Sequence, residues 1–220
     1  MGTDAVVVFD VNETLSDLAP MGRRFVEVGA AESAAKTWFA SVLRDGFALT
    51  AAGATQRFSV IAESALRDIL AGGTSDLDAA VEHVMGGFSE LPLHPDVADG
   101  VRALSASGAR LVTLSNGSTE VADRLFAAAG IRGHFERLLS VDDAGVWKPA
   151  PGAYAHAARA CSADPATMML VAVHPWDIDG ARRAGMRTAW INRQGRRYPG
   201  HFLAPDHSVT TVSELAGLMG

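Results

Sequence analysis

Ala5-Val6-Val7-Val8-Phe9-Asp10-Val11-Asn12-Glu13-Thr14 begins as an unbroken apolar, largely β-branched run and stops abruptly on polar residues. An apolar run with no in-out alternation describes a strand buried on both faces, as in a parallel sheet covered by helices. The polar residues that follow then sit at the carboxyl end of that strand, where open α/β sheets bind their ligands. From about Asp17 to Leu91 the pattern changes. Residues 34–48, 55–70 and 77–88 carry helical spacing, and no strand stands out among them. Gly72-Gly73-Thr74-Ser75-Asp76 punctuates this stretch, with Ser75 or Asp76 suited to cap the next helix. Beyond Pro92 and Pro95 the chain alternates: helix 97–106, strand 110–114, helix 119–129, strand 137–141, helix 152–160, strand 168–173, helix 178–184, strand 187–191. Such alternation implies βαβ units and a parallel sheet. The helical stretch between the first strand and the rest reads as an insertion, or cap. Residues 196–207 read as a loop leading to a last short strand at 208–212 and a terminal helix.

The composition bounds the function. With 220 residues, 48% hydrophobic and 20% charged, the chain can bury a sizeable core, which excludes wholesale disorder. Nineteen Lys and Arg against 25 Asp and Glu leave a net charge of −6, without the basic footprint of a nucleic-acid binder. The single cysteine, Cys161, makes neither an internal disulfide nor a cysteine metal cluster, and fits a reducing, cytoplasmic setting. No apolar run approaches the roughly 20 residues of a membrane span. A first strand at Ala5 leaves no room for a signal peptide, so the expected location is the cytoplasm.

Chemistry is sought at the strand ends. Asp10 follows the first strand, with Thr14 four residues on. Ser115 and Asn116 follow the second. The loop beyond the third holds Trp147, Lys148 and Pro149, with Tyr154 soon after. His174 and Asp177 follow the fourth. All project onto one rim of a parallel sheet, bringing two carboxylates, a hydroxyl, an amide and an ammonium together. A carboxylate at Asp10 suits a nucleophile that forms a covalent intermediate, or a turn cap. Thr14 and Ser115 suit hydrogen-bond donors to it or to a substrate anion. Lys148 is one of only two lysines, beside Lys36, in a chain with 17 arginines; a compact ammonium suits a position between carboxylates. Asp177 is suited to anchor Lys148, to bind a metal or to cap a helix. His174 is suited to proton transfer, to anion binding or to simple packing.

Asp10-Val-Asn-Glu-Thr14-Leu, Leu114-Ser115-Asn116-Gly117, Lys148-Pro149 and Trp176-Asp177-Ile-Asp-Gly-Ala resemble the four ordered motifs of the haloacid dehalogenase superfamily. The likeness runs from Phe9 to Asn192. Leu138-Leu139-Ser140-Val141-Asp142, Tyr154 and Ala189-Trp190-Ile191-Asn192-Arg193 are similar to its type II L-2-haloacid dehalogenase branch. The resemblance implies an α/β fold: a Rossmann-like parallel-sheet core, residues 1–16 and 93–220, with an inserted helical cap at 17–92. It implies attack by Asp10 on the α-carbon of a short 2-halo acid, departure of the halide, and hydrolysis of the resulting aspartyl ester. Carried over position by position, Thr14 and Lys148 orient Asp10. Ser115 and Asn116 hold the substrate carboxylate, while Tyr154 and Asp177 support Lys148 and the hydrolytic step. Asn12, Phe39 and Trp176 complete the expected substrate contacts. No cofactor is implied; the partner is a small carboxylic acid, and the helical surface is a candidate homodimer interface.

The departures from the pattern keep an alternative open, a magnesium-dependent phosphatase acting on a small phosphomonoester. Phosphatases of this superfamily place a second Asp two residues after the nucleophile, where this chain has Asn12, and acidic metal ligands in the fourth motif, where Ala172 and Val173 stand. The dehalogenases carry a cap arginine directly after a tryptophan, which receives the departing halide; here Trp38 is followed by Phe39, with Arg44 and Arg57 elsewhere in the cap. They also have a serine and an asparagine where this chain has Ala172 and His174. His174 offers a replacement, as an imidazolium for the leaving anion or an acid for a poorer leaving group. A third reading is a degenerate member that only binds a ligand or partner.

Overall fold

The computed structural model describes residues 5–218. Six strands form one parallel sheet: β1 (Val6–Phe9), β2 (Arg110–Ser115), β3 (Phe135–Ser140), β4 (Met168–Ala172), β5 (Arg187–Ile191) and β6 (His207–Val209), in the order β3-β2-β1-β4-β5-β6. This is the doubly wound, Rossmann-like order, and its direction reverses between β1 and β4. Every side chain of β1 is buried, as its unbroken run requires, and Phe9 lies opposite Thr113 of β2 and Val171 of β4. The chain therefore leaves β1 at the switch point, with Asp10 as its first residue beyond.

The chain divides into two compact units. Asp17–Pro92 form one, and the residues on either side form the other. The sheet unit carries helices α5 (Val97–Ala106), α6 (Thr119–Ala128), α7 (Val141–Ala144), α8 (Pro151–Cys161) and α9 (Pro175–Arg183). Its apolar core includes Val7, Phe9, Leu104, Leu111, Phe126, Met169 and Ile191. The inserted unit is all helical: α1 (Met21–Glu27), α2 (Ala34–Ala51), α3 (Phe58–Leu70) and α4 (Leu77–Ser89). In α3 the buried residues are Phe58, Ile61, Ala62, Ala65, Leu66 and Leu70, the stripe a 3.6-residue period demands. Asp76 caps α4, its carboxylate accepting from Ala79 N at 3.0 Å.

The structure corrects several expected boundaries. The sequence pattern did not single out α1, because Pro20, Gly22 and Gly29 interrupt its apolar spacing. The third strand ends at Ser140, and Val141 instead opens the one-turn α7, where the Ser140 hydroxyl accepts from Asp142 N at 3.1 Å. Helix α9 begins at Pro175 rather than Ile178, because proline suits the first helical position, where its missing N–H is not needed. The last element, Val212–Leu218, is a 3-10 helix. Among the described residues, no helix is long and apolar enough to cross a membrane.

Candidate active site

Asp10 is 3% exposed and held by both oxygens: Oδ2 accepts from Thr14 Oγ1 at 2.6 Å and Oδ1 from Lys148 Nζ at 2.9 Å. Thr14 in turn receives the Val173 N–H on its hydroxyl oxygen at 3.1 Å, which ties the loop after β1 to the loop after β4. Lys148 is fully buried, and its Nζ also donates to Asp177 Oδ2 at 2.6 Å. The Tyr154 hydroxyl donates to Asp177 Oδ1 at 2.7 Å. Five residues from the loop after β1, the α7–α8 loop, α8 and α9 thus form one chain of hydrogen bonds: Thr14–Asp10–Lys148–Asp177–Tyr154. Gly180, one turn after Asp177, makes the close approach feasible; a Cβ there would lie 2.5 Å from the Tyr154 hydroxyl and 2.7 Å from Pro149 Cβ.

Electrostatics divide the two carboxylates. Burial raises the Asp10 carboxyl, but the Lys148 ammonium, His174 and the hydrogen bonds from Thr14 and Lys148 more than offset it, leaving Asp10 below its ordinary value. Asp177 lies above its ordinary value, because burial and the nearby Asp10 charge outweigh what Lys148 and Tyr154 return. Burial lowers Lys148, yet the two carboxylates hold it above its usual range. Tyr154 is pushed well up by burial and by Asp177. At neutral pH the arrangement favours an ionised Asp10 beside a charged ammonium, the state a carboxylate nucleophile needs.

Asn116 holds Lys148 from behind. Its Oδ1 accepts from Lys148 N at 3.0 Å and its Nδ2 donates to Lys148 O at 3.3 Å. The sequence suggested a substrate contact; in the structure both ends of the amide meet the Lys148 backbone. Ser115, buried at the end of β2, accepts from Gly117 N at 2.9 Å. Ser140 was missed: its hydroxyl donates to Gly117 O at 2.9 Å and helps shape the same turn. Its position at the end of β3, on the same rim, was the available signal. Asn12 is buried, and its carbonyl lies 3.2 Å from His174 Nε2. A carbonyl only accepts, so Nε2 carries the hydrogen. That nitrogen is also 3.6 Å from Asp10 Oδ2 and 3.7 Å from Glu13 Oε2. The Trp176 ring stacks on His174 at 4.9 Å and lies 5.9 Å from Lys148 Nζ.

Phe39 belongs to the inserted unit, where it packs against Trp38 and Phe58 with ring centroids 6.5 and 6.3 Å apart. Arg44 is engaged by Asp45 at 2.7 Å. Among the described residues, no group of three His, Cys, Asp or Glu gathers where a metal ion could be held. The donors around Asp10 are a hydroxyl and an ammonium, and Asn12 brings no second carboxylate, so the residues present do not fit a magnesium site.

A buried aspartate at the switch point of a doubly wound sheet, flanked by lysine and threonine and followed by an inserted helical unit, is the arrangement of a hydrolase that works through a carboxylate. Residues 5–185 match the haloacid dehalogenase-like hydrolases, and the chain belongs to that family. It is similar to the (S)-2-haloacid dehalogenase of Pseudomonas sp. strain YL, 31% identical over 215 residues that cover 96% of this chain and 93% of the relative. Haloacetate dehalogenase H-2 of Moraxella sp. strain B is 37% identical over 132 residues, 60% of this chain and 59% of that protein. A crystal structure of a dehalogenase with an intermediate complex superposes with a TM-score of 0.91 at 28% identity, covering 99% of this chain and 98% of the other. These likenesses favour the dehalogenase over the phosphatase alternative.

Proposed function

We propose that this protein hydrolyses short L-2-halo acids to 2-hydroxy acids without a metal, through an ester on Asp10, in the cytoplasm. The observation that carries the reading is the buried Asp10 carboxylate, gripped at 2.6 Å by Thr14 and at 2.9 Å by Lys148. One Asp10 oxygen attacks the α-carbon. The new C–O bond forms as the carbon–halogen bond breaks, its electron pair leaves with the halide, and the α-carbon inverts. Water then adds to the Asp10 carboxyl carbon. Collapse releases the hydroxy acid, one proton goes to solvent, and the Asp10 carboxylate is restored with one oxygen from water. Lys148 balances charge through both steps, as a preorganised dipole or ion does without reorganising. Tyr154 and Asp177 hold that ammonium, Ser115 offers its hydroxyl to the substrate carboxylate, and Asn12 and Trp176 border the substrate. His174, whose Nε2 lies 3.6 Å from Asp10 Oδ2, takes the role of the missing cap arginine toward the leaving group.

Mass spectrometry of the protein mixed with a panel of 2-halo acids tests the reading. The expected result is an adduct on Asp10 in a Lys148 variant, and transfer of 18O from labelled water into Asp10 in the wild type during a single turnover. Asp10→Asn should lose turnover by about 10^4-fold or more, the scale of removing a covalent nucleophile. Label appearing directly in the product, with no adduct, defeats the proposal.

A further inference from the structure

We propose that Arg193, with its partner Asp96, and His94 are positioning residues that hold the loop after β1 in the one shape that aims Thr14 at Asp10. The inference rests on the reading of Asp10 as the nucleophile and goes beyond it to what fixes that side chain in place.

Four consecutive carbonyls of the loop are engaged, and they divide by the kind of donor. Val11 O receives the N–H groups of Leu15 and Ser16 at 2.9 and 3.0 Å, an ordinary turn. The other three face side chains from distant parts of the chain: Asn12 O faces His174 at 3.2 Å, Glu13 O faces His94 Nε2 at 3.0 Å, and Thr14 O receives Arg193 Nη2 at 3.0 Å. Glu13 needs such help. Its φ of 63° is left-handed, a conformation that costs a non-glycine residue energy and persists only where surroundings enforce it. His94 is well suited to enforce it, since its own N–H also donates to Leu15 O at 2.9 Å, so one residue grips the loop on both sides of Thr14.

Arg193 is anchored in turn. Its Nη1 meets Asp96 Oδ1 at 2.6 Å, and Asp96 Oδ2 accepts from Val212 N at 2.6 Å. The guanidinium is thereby fixed between the residues that follow β6 and the loop that follows β1. Its Nε is buried without a protein acceptor among the described residues. Neither residue touches Asp10. Both act through backbone atoms of the two residues that shape the approach of the Thr14 hydroxyl, whose bond to Asp10 is 2.6 Å long.

Steady-state kinetics on a 2-halo acid decides the matter, with Asp206→Asn as the control for stability alone. Asp206 pairs with Arg182 and accepts from Thr188 N at 2.8 Å, away from the nucleophile loop. Arg193→Gln, Asp96→Asn and His94→Gln should each lower kcat about tenfold or more, because small misplacements of reacting groups carry costs of that size. KM should stay within about twofold, since no substrate contact is removed. The acid limb of kcat should move to higher pH as the Thr14 bond to Asp10 loosens. Arg193→Gln and Asp96→Asn together should be no worse than the poorer single variant, because both act through the Thr14 carbonyl. Arg193→Lys, which places one charge but not the fork, should recover only part of kcat. If Arg193→Gln does not fold, His94→Gln and Arg193→Lys carry the test. Variants that melt earlier, like Asp206→Asn, but keep wild-type kcat and acid limb overturn the proposal. If Asp10→Asn itself retains turnover, the nucleophile reading fails first; if Asp10→Asn is dead and these variants are fast, only the positioning claim falls.

Discussion

The inserted helical unit and the sheet unit bury different things. Inside 17–92 the interior is apolar and aromatic: Phe58 stacks on Phe88 at 5.2 Å, and Trp38 meets Phe88 edge-on at 5.5 Å and Phe25 at 6.0 Å. The indole N–H of Trp38, donating to Ala62 O at 2.9 Å, is a rare polar contact within that interior. Every buried polar or charged residue among the described ones lies instead in the sheet unit, and most of them sit at the carboxyl ends of β1, β2 and β4 or just beyond. Burying a charge costs free energy unless it is paired and hydrogen-bonded. One unit is thus built for stability, while the other gives up stability to hold reactive groups in a dry, fixed geometry. The two should therefore answer mutation in different currencies, melting temperature in the first and kcat in the second.

Lys148→Met is the strongest way to break this comparison. It should cut kcat about 10^3-fold, the scale of deleting one preorganised charge. It should also destabilise by about 3–5 kcal/mol, because two buried carboxylates lose their shared counter-ion. The pH dependence carries the sign. In the wild type, Asp10 sits below its unfolded value, so its contribution to stability is present above that value and lost as pH falls through the lower, folded one. Asp177 sits above its unfolded value and contributes in the opposite sense. Without Lys148 both carboxyls are raised, so the variant's deficit should shrink as pH falls toward the ordinary carboxylate range. Urea unfolding between neutral and acid pH checks this; a deficit that does not shrink removes the charge-triad account.

Much of this site was legible because strand ends are legible. An unbroken apolar run ending on Asp10, and similar runs ending near Ser115 and His174, bring distant residues to one rim by topology alone. Lys148 stood out by rarity. The partners of these groups were not legible. Nothing local to Asn116 reveals that its amide meets the backbone of a residue 32 positions away. The contacts of His94 and Arg193 were invisible for a related reason: they meet carbonyls, and every residue has one. Helix α1 was hidden by its flanking Pro and Gly, and the first turn of α9, opened by Pro175, has no apolar spacing to announce it.

Trp38→Ala tests the other side of the comparison. The residue is fully buried among Phe25, Phe39 and Phe88, and truncation should cost about 3–5 kcal/mol. The kcat of the folded fraction should fall far less than in Lys148→Met. Loss of kcat without loss of stability would place Trp38 in the chemistry and dissolve the division between the units. His174→Gln should fall between these in kind: about a tenfold loss of kcat, the scale of a positioned acid or charge, with little change in melting. Turnover equal to wild type across pH 5–8 removes His174 from the leaving-group role.

The smallest expected effect is also a gain. Gly86 lies inside α4, and a Cβ built there meets nothing within 4 Å. Its neighbour Gly87 differs: a Cβ there would lie 2.7 Å from the Arg24 side chain. Glycine in a helix interior is less favourable than alanine by about 0.5–1 kcal/mol, mainly through the freedom it retains in the unfolded chain. Gly86→Ala should therefore raise stability by about that amount, while Gly87→Ala should gain less or lose, depending on how far Arg24 gives way from its 2.9 Å bond to Glu90. Paired thermal melts of the two variants check the difference. If Gly86→Ala destabilises, the helical unit is not an ordinary propensity-governed bundle at that position, and its apolar interior alone no longer explains why it folds.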